Sequence, residues 1–196
     1  MKAIIFIDVQ NDFIDGVLGV DKDKTVTERI RKYAYICKCE HVPMLATRDT
    51  HYDLTLNKIG TSYEDTLEGK KLPVKHCIQD TFGWQLDEGL AVYVPVVNII
   101  DKQTFGSIND LPQKLGDIDY NLKQIYGQKN GVTEIELGGF CTSICVISNA
   151  LILRATYPNL KISILKNLCA DTTPENHAAA LAVAKCNQIE VVDAIV

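Results

Sequence analysis

Several protein classes are set aside by what this chain of 196 residues has little of. It has no apolar run approaching the roughly 18 residues that a membrane-spanning helix needs, so no membrane partner is expected. It has no cluster of lysine and arginine. With 20 basic against 25 acidic residues, and a net charge of −5, it lacks the footprint of a nucleic-acid binder. An anionic substrate would need a local cation. The opening segment "MKAIIFIDVQNDF" falls short of a signal peptide, because its apolar core is only about six residues and Asp8 interrupts it. The seven cysteines are an odd number without a secretory signal, which suits reduced thiols and an expected cytoplasmic location. There is no internal repeat, low-complexity tract or linker. No GxGxxG or P-loop follows any expected strand, which removes the usual nucleotide-binding α/β domains.

What is present alternates between two periods. "AIIFIDV" (3–9) is a continuous apolar run, as in a strand covered on both faces. "TVTERIRKYAYICKC" (25–39) places Val26, Ile30, Tyr33 and Cys37 on one helical face. Further strands are expected at 42–49, 91–98, 133–139, 160–168 and 189–193. Further helices are expected at 119–129, 143–155 and 173–186. The last has Thr173 as N-cap, Pro174 at its first position and Glu175 in its first turn. Strand and helix in repetition predict one α/β domain over 1–196: three α/β/α layers around a mainly parallel, six-stranded, Rossmann-like sheet. The long irregular stretch is 50–90, and connections of that length are usually functional.

In such sheets ligands bind beyond the carboxyl ends of the strands. Asp8 ends the first expected strand, Asp49 the second with His51 just beyond, and Lys102 follows the third. Gly138-Gly139 ends the fourth and Cys145 follows it. Each has a bland alternative: a capping carboxylate for Asp8, a solvated surface lysine for Lys102, turn residues for Asp49 and His51. Their common edge is the argument for function.

"GGFCTSIC" (138–145) holds two cysteines. Thr142 and Ser143 are both good N-caps, so Cys145 is expected in the first turn of a helix. There the positive helix end, helped by Lys102, favours its thiolate. Cys141 precedes the helix, and its N–H together with that of Cys145 offers an oxyanion site. The alternative is two core cysteines. A second cluster joins Asp49 and His51, on one side of an extended segment, to His76 of "VKHC". One carboxylate and two imidazoles suit Zn²⁺, with Fe²⁺ or Mn²⁺ as alternatives; the plain reading is two loop histidines. His41 and His177 read as structural. Phe13 and Phe140 are candidates for an aromatic pocket wall, against ordinary core positions.

These motifs together resemble a known family. "FIDVQNDF", "RDTH", "HCIQDTFG", "DKQTFGS" and "GGFCTSICV" are similar to those of the isochorismatase-like cysteine hydrolases, and the "DTH" and "HC" pair to their metal-containing nicotinamidase branch. The resemblance implies a catalytic triad of Asp8, Lys102 and Cys145, and a cis peptide at Phe140-Cys141. It also implies a metal on Asp49, His51 and His76, and a homo-oligomer, dimer or tetramer. The activity implied is hydrolysis of a small amide, nicotinamide to nicotinic acid and ammonia, through a thioester. The alternatives are a hydrolase of a carbamoyl compound or an enol ether, or a non-catalytic binding protein on the same fold. Three positions depart from the family pattern. Asn57 stands where many nicotinamidases carry another histidine, and Ser143 where an aspartate is common. "QTFGSINDL" (103–111) replaces an aromatic stretch.

Overall fold

The apolar run at the N-terminus is β1 (Lys2–Ile7), the middle of the fold, in a computed structural model that describes residues 1–124, 127 and 131–196. Its side chains alternate between two cores. Ala3, Ile5 and Ile7 enter one apolar cluster, and Ile4 and Phe6 the other, all fully buried. Each such side chain contributes about 1.5–3 kcal/mol on burial. β1 is flanked by β2 (Met44–Asp49) and β4 (Glu134–Phe140). Beyond them lie β3 (Ile99–Lys102), β5 (Lys161–Ala170) and β6 (Glu190–Val192). The order is β3-β2-β1-β4-β5-β6 and every pairing is parallel. This is the expected three-layer α/β/α sheet. The strand order reverses between β1 and β4, and the crevice at such a reversal is where α/β proteins bind ligands.

Short helix α1 (Asn11–Ile14) follows β1, and α2 (Thr25–Cys39) buries Ile30, Tyr33, Ala34 and Cys37 against one face. The cap of α2 comes from Asp21, whose carboxylate accepts from the N–H groups of Val26 (3.0 Å) and Thr27 (2.6 Å). The long connection contains α3 (Leu67–Lys71) and α4 (Glu88–Ala91). On the other face lie α5 (Asp110–Gln124), α6 (Ile147–Thr156) and α7 (Pro174–Cys186). α7 begins as expected: Thr173 caps it, accepting from Asn176 N–H at 3.1 Å, and Pro174 opens it.

Two elements differ from expectation. The third strand is not at 91–98. Asp87 caps α4 there by accepting from Leu90 N–H (3.0 Å), and Val92, Val96 and Val97 are exposed. The strand is the next four residues, and Asp49 pairs with Lys102 in its register. Lys102 is therefore the last strand residue rather than a loop residue. α5 starts nine residues before the expected 119. Pro112 is tolerated in its first turn, and Ser107 Oγ accepts from Leu111 N–H at 3.1 Å. Of the expected extension to 129, residues 125, 126, 128 and 129 lie outside the described residues.

Candidate active site

β1 delivers Asp8 to the crevice. The residue is fully buried and adopts φ +50°, a left-handed conformation that Asp tolerates better than most residues. Thr47 of β2 fixes it: Thr47 Oγ1 donates to Asp8 Oδ1 at 2.6 Å. The other oxygen, Oδ2, lies 2.7 Å from Lys102 Nζ and has no further aligned donor among the described residues. Gln10, two residues on, grips the neighbouring strand. Its Oε1 accepts from Asp49 N–H (2.7 Å) and its Nε2 donates to the Asp49 carbonyl (2.9 Å).

β3 delivers Lys102, whose buried Nζ stands among three groups: Asp8 Oδ2 at 2.7 Å, Asp49 Oδ1 at 3.4 Å and Cys145 Sγ at 3.5 Å. Burial works against its charge, but Asp8, then Cys145 and Asp49, hold its pKa well above the ordinary lysine value. Burial pushes the Asp8 carboxyl up, with Lys102 opposing. Burial and then the Asp8 charge push the Cys145 thiol well above its ordinary value, again against Lys102. Lys102 thus favours the thiolate as expected, while desolvation and the nearby carboxylate oppose it.

β4 delivers the turn that carries Cys141 and Cys145. Gly139 has φ +137°, and a Cβ there would sit 2.0 Å from the Ile7 carbonyl oxygen, so only glycine lets β4 pass β1 at this point. The expected cis peptide is present at Phe140-Cys141. Residues Thr142–Val146 form a wide π turn before α6. The Cys141 carbonyl accepts from the N–H groups of Ile144 and Val146, each at 3.1 Å, bracketing Cys145. Neither Thr142 nor Ser143 caps the turn. Thr142 Oγ1 donates to the Ala170 carbonyl (3.0 Å) and meets His177 Nδ1 at 2.8 Å. The capping carboxylate comes from Asp171, just past β5, which accepts from Ser143 N–H (2.5 Å) and Ser143 Oγ (3.0 Å). Buried Asn149 ties the turn to the segment after β3. Its Nδ2 donates to the carbonyls of Cys145 (2.8 Å) and Phe105 (3.1 Å), and its Oδ1 accepts from Ser107 N–H (2.9 Å).

The second cluster forms where the long connection returns to β2. His51 and Ile78 bridge in parallel: His51 N–H donates to the Cys77 carbonyl (3.0 Å), and Gln79 N–H to the His51 carbonyl (2.9 Å). This sets His51 and His76 rings 4.8 Å apart. Tyr63 packs edge-on to both and donates through its hydroxyl to the Leu72 carbonyl at 2.7 Å, which seats α3 beside them. α3 contributes Glu68, which sequence reasoning missed. Nothing in "TLEGKKLPVKH" singles it out, because its placement depends on the path of the loop. Asn57 takes no part. It accepts from Asp53 N–H (2.9 Å) and donates to the Gln79 carbonyl (3.0 Å).

Asp49, His51, Glu68 and His76 bring one ligand atom each to within 4.8 Å of one another. Asp49 Oδ2 is 3.0 Å from His51 Nε2 and 3.5 Å from His76 Nε2, and Glu68 Oε1 is 3.7 and 3.6 Å from the same two atoms. Tetrahedral ligands on bonds of about 2.0–2.2 Å lie roughly 3.4 Å apart, so the donor set fits a divalent ion. His76 Nδ1 is engaged by the Val74 carbonyl at 2.9 Å, leaving Nε2 for the cluster. Without a cation the two carboxylates overcome burial and raise His76 to about 10. Burial disfavours the Asp49 charge, yet Lys102 and the two imidazoles hold its carboxyl far below the ordinary range.

Both clusters open into one cavity of about 630 Å³. Cys141 and Cys145 line it, as does Phe13, whose ring centroid is 5.7 Å from that of His76. Phe140 does not. It is fully buried in the core between β4 and α2, because the residue after Gly139 points away from the crevice side. The structure thus brings Asp8, Lys102, Cys145, Cys141, Asp49, His51, His76 and Phe13 together and leaves Phe140 apart.

The likenesses to known proteins run the length of the chain. The chain is 26% identical, over 98% of both proteins, to the nicotinamidase/pyrazinamidase of Mycobacterium tuberculosis. Among solved structures it resembles the pyrazinamidase/nicotinamidase of Streptococcus mutans, with a TM-score of 0.70 and 22% identity over 98% of this chain and 100% of that one. It also resembles the pyrazinamidase of Pyrococcus horikoshii in complex with zinc, with a TM-score of 0.67 and 21% identity over 98% and 99%. The family model described as the isochorismatase domain matches residues 2–195, and the chain belongs to that family of hydrolases.

Proposed function

We propose that the protein is a cysteine amidase that cleaves a carboxamide to a carboxylic acid and ammonia, with nicotinamide as the first substrate to test. The observation that carries this is the buried triangle in which Lys102 Nζ lies 2.7 Å from Asp8 Oδ2 and 3.5 Å from Cys145 Sγ. Asp8 takes the thiol proton as Cys145 Sγ attacks the carbonyl carbon. Lys102 keeps the charge balanced as the carboxylate is neutralised and the sulfur becomes covalent. The N–H groups of Cys141 and Cys145 receive the oxyanion. Asp8 returns the proton to the departing nitrogen, which leaves as ammonia, and a thioester remains. Water, deprotonated by Asp8, then hydrolyses the thioester and restores the thiol.

Asp49, His51, Glu68 and His76 would hold a divalent ion, Zn²⁺ first, with Fe²⁺ or Mn²⁺ also suited to two imidazoles and two carboxylates. Such an ion supplies Lewis acidity to a substrate heteroatom or a water beside the thiol. Asp49 belongs to both clusters, since Lys102 Nζ is 3.4 Å from its Oδ1. The test is ammonia release from nicotinamide by metal-replete protein, with Cys145→Ala alongside. Release that the substitution abolishes is the expected result; release that survives it removes Cys145 from the mechanism.

A further inference from the structure

We infer that the preferred substrate carries on its amide carbonyl a mainly apolar body larger than a single ring. The inference deepens the amidase reading and rests on it. Three observations carry it. The cavity of about 630 Å³ falls in the roughly 300–1,000 Å³ class that encloses drug-sized ligands, whereas a pyridinecarboxamide occupies only part of such a space. Away from the two reactive clusters Phe13, Leu18, Leu67, Leu72, Phe105 and Ile144 make an apolar wall, with Lys71, Gln103, Thr66, Thr104 and Thr172 as the polar residues around it. Three of these walls stand in solvent, Leu67 at 71% exposure, Phe105 at 46% and Leu72 at 38%. Exposed apolar side chains that converge on one concavity from separate segments mark a binding groove.

The walls are also built with the chemistry. Leu67 is the neighbour of Glu68 on α3, and Phe105 is bound through its carbonyl to Asn149, which also holds the Cys145 carbonyl. A substrate body lying against Leu67, Leu72 and Phe105 would therefore be read by the elements that carry the metal ligand and brace the nucleophile. The segment "QTFGSINDL", where the chain departs from the family pattern, supplies one of these walls.

The experiment compares kcat/KM for ammonia release from nicotinamide, benzamide, octanamide and 4-phenylbutanamide by metal-replete protein, then repeats it with Leu72→Ser and Phe105→Ser. The expected result is a kcat/KM for 4-phenylbutanamide at least about 10-fold above that for nicotinamide, since one methylene in an apolar pocket is worth roughly 10-fold or more. The same ratio should fall toward one in both variants. A ratio below one, or a ratio that neither variant moves, overturns the inference and leaves the amidase reading standing. If no amide is cleaved, the amidase reading fails instead. Calorimetric titration of Cys145→Ala with 4-phenylbutanamide then decides the cavity separately: binding weakened by adding Leu72→Ser supports an apolar ligand body, and no binding overturns it.

Discussion

At the scale of single residues, the chemistry turns on how much charge is buried around one lysine. Asp8, Asp49 and Lys102 are all buried, so the pocket holds two carboxylates on one ammonium. Removing such charges from water is costly unless each is paired and hydrogen-bonded. Asp8 meets that need through Thr47 and Lys102. Thr47→Val keeps the volume and removes a 2.6 Å hydrogen bond that favours ionised Asp8. Asp8 must be ionised to accept the thiol proton, so kcat/KM falls as pH drops through its pKa. Burial already raises that pKa, and losing Thr47 raises it further. The acid limb of the pH–rate profile should move to higher pH, with kcat/KM on that limb down roughly three- to ten-fold, the worth of one hydrogen bond of about 0.5–1.5 kcal/mol. A limb that stays put would remove Thr47 from the control of Asp8. Both Asp8 and Lys102 were legible as charges at strand ends. Thr47 left only the faint signal of a polar residue in an apolar strand.

Between elements, Asn149 spans the gap. It sits in the first turn of α6 and has no chemistry of its own, yet its amide joins the Cys145 carbonyl to the segment that follows Lys102. Asn149→Ala leaves Ser107 N–H without its acceptor and the Phe105 carbonyl without its donor. Unsatisfied buried groups cost about 1–3 kcal/mol each, so denaturant unfolding should show a loss of that order or somewhat more. The Phe105 wall and the Cys145 turn loosen together, and kcat/KM should fall roughly 10- to 100-fold because small displacements of a reacting group are costly. Unchanged kinetics with reduced stability would assign Asn149 to folding alone. The element the sequence misplaced has a simple cause. "AVYVPVVN" has the apolar content of a strand, but three of its four valines face solvent, and the Asp87 cap makes its start a helix. Composition reports burial and strand propensity together, and only pairing with β2 separates them. β3 is four residues long, too short to announce itself, and its register follows from the partner strand.

Across the whole molecule, the candidate metal cluster ties the long connection back to the sheet. Its four residues come from the end of β2, from α3 and from the returning loop, a span from residue 49 to residue 76. A ligand that binds only the folded state stabilises it by about 2.7 kcal/mol at a hundred times its Kd. For a chain of this size that corresponds to roughly 5–10 °C in Tm. Chelation should lower Tm by that amount and Zn²⁺ should restore it. Glu68→Gln should bind the ion about 10- to 100-fold more weakly in a metal-analysis titration. Chelated and loaded protein that melt together would count against a metal there. No helix among the described residues is long and apolar enough to cross a membrane.

The sequence was enough for the layers, the parallel sheet and the ends of β1, β2 and β4, where charged and thiol side chains gather. Those follow from local periodicity and from the rule that α/β sheets present their carboxyl edge to ligands. It also marked Asp8, Lys102, Cys145 and three of the four metal-cluster residues. Each of these is a charged or reactive residue next to an apolar run or within a recognisable motif. The rest came from the fold. Glu68 joined the histidines because Tyr63 seats α3 against them, and Asp171 reached Ser143 from beyond β5. Phe13 reached the cavity while Phe140 did not. Desolvation and the Asp8 charge push the Cys145 thiol up against the pull of Lys102. These outcomes depend on distances between segments remote in sequence and on how completely water is excluded, and neither quantity is written in the order of the residues.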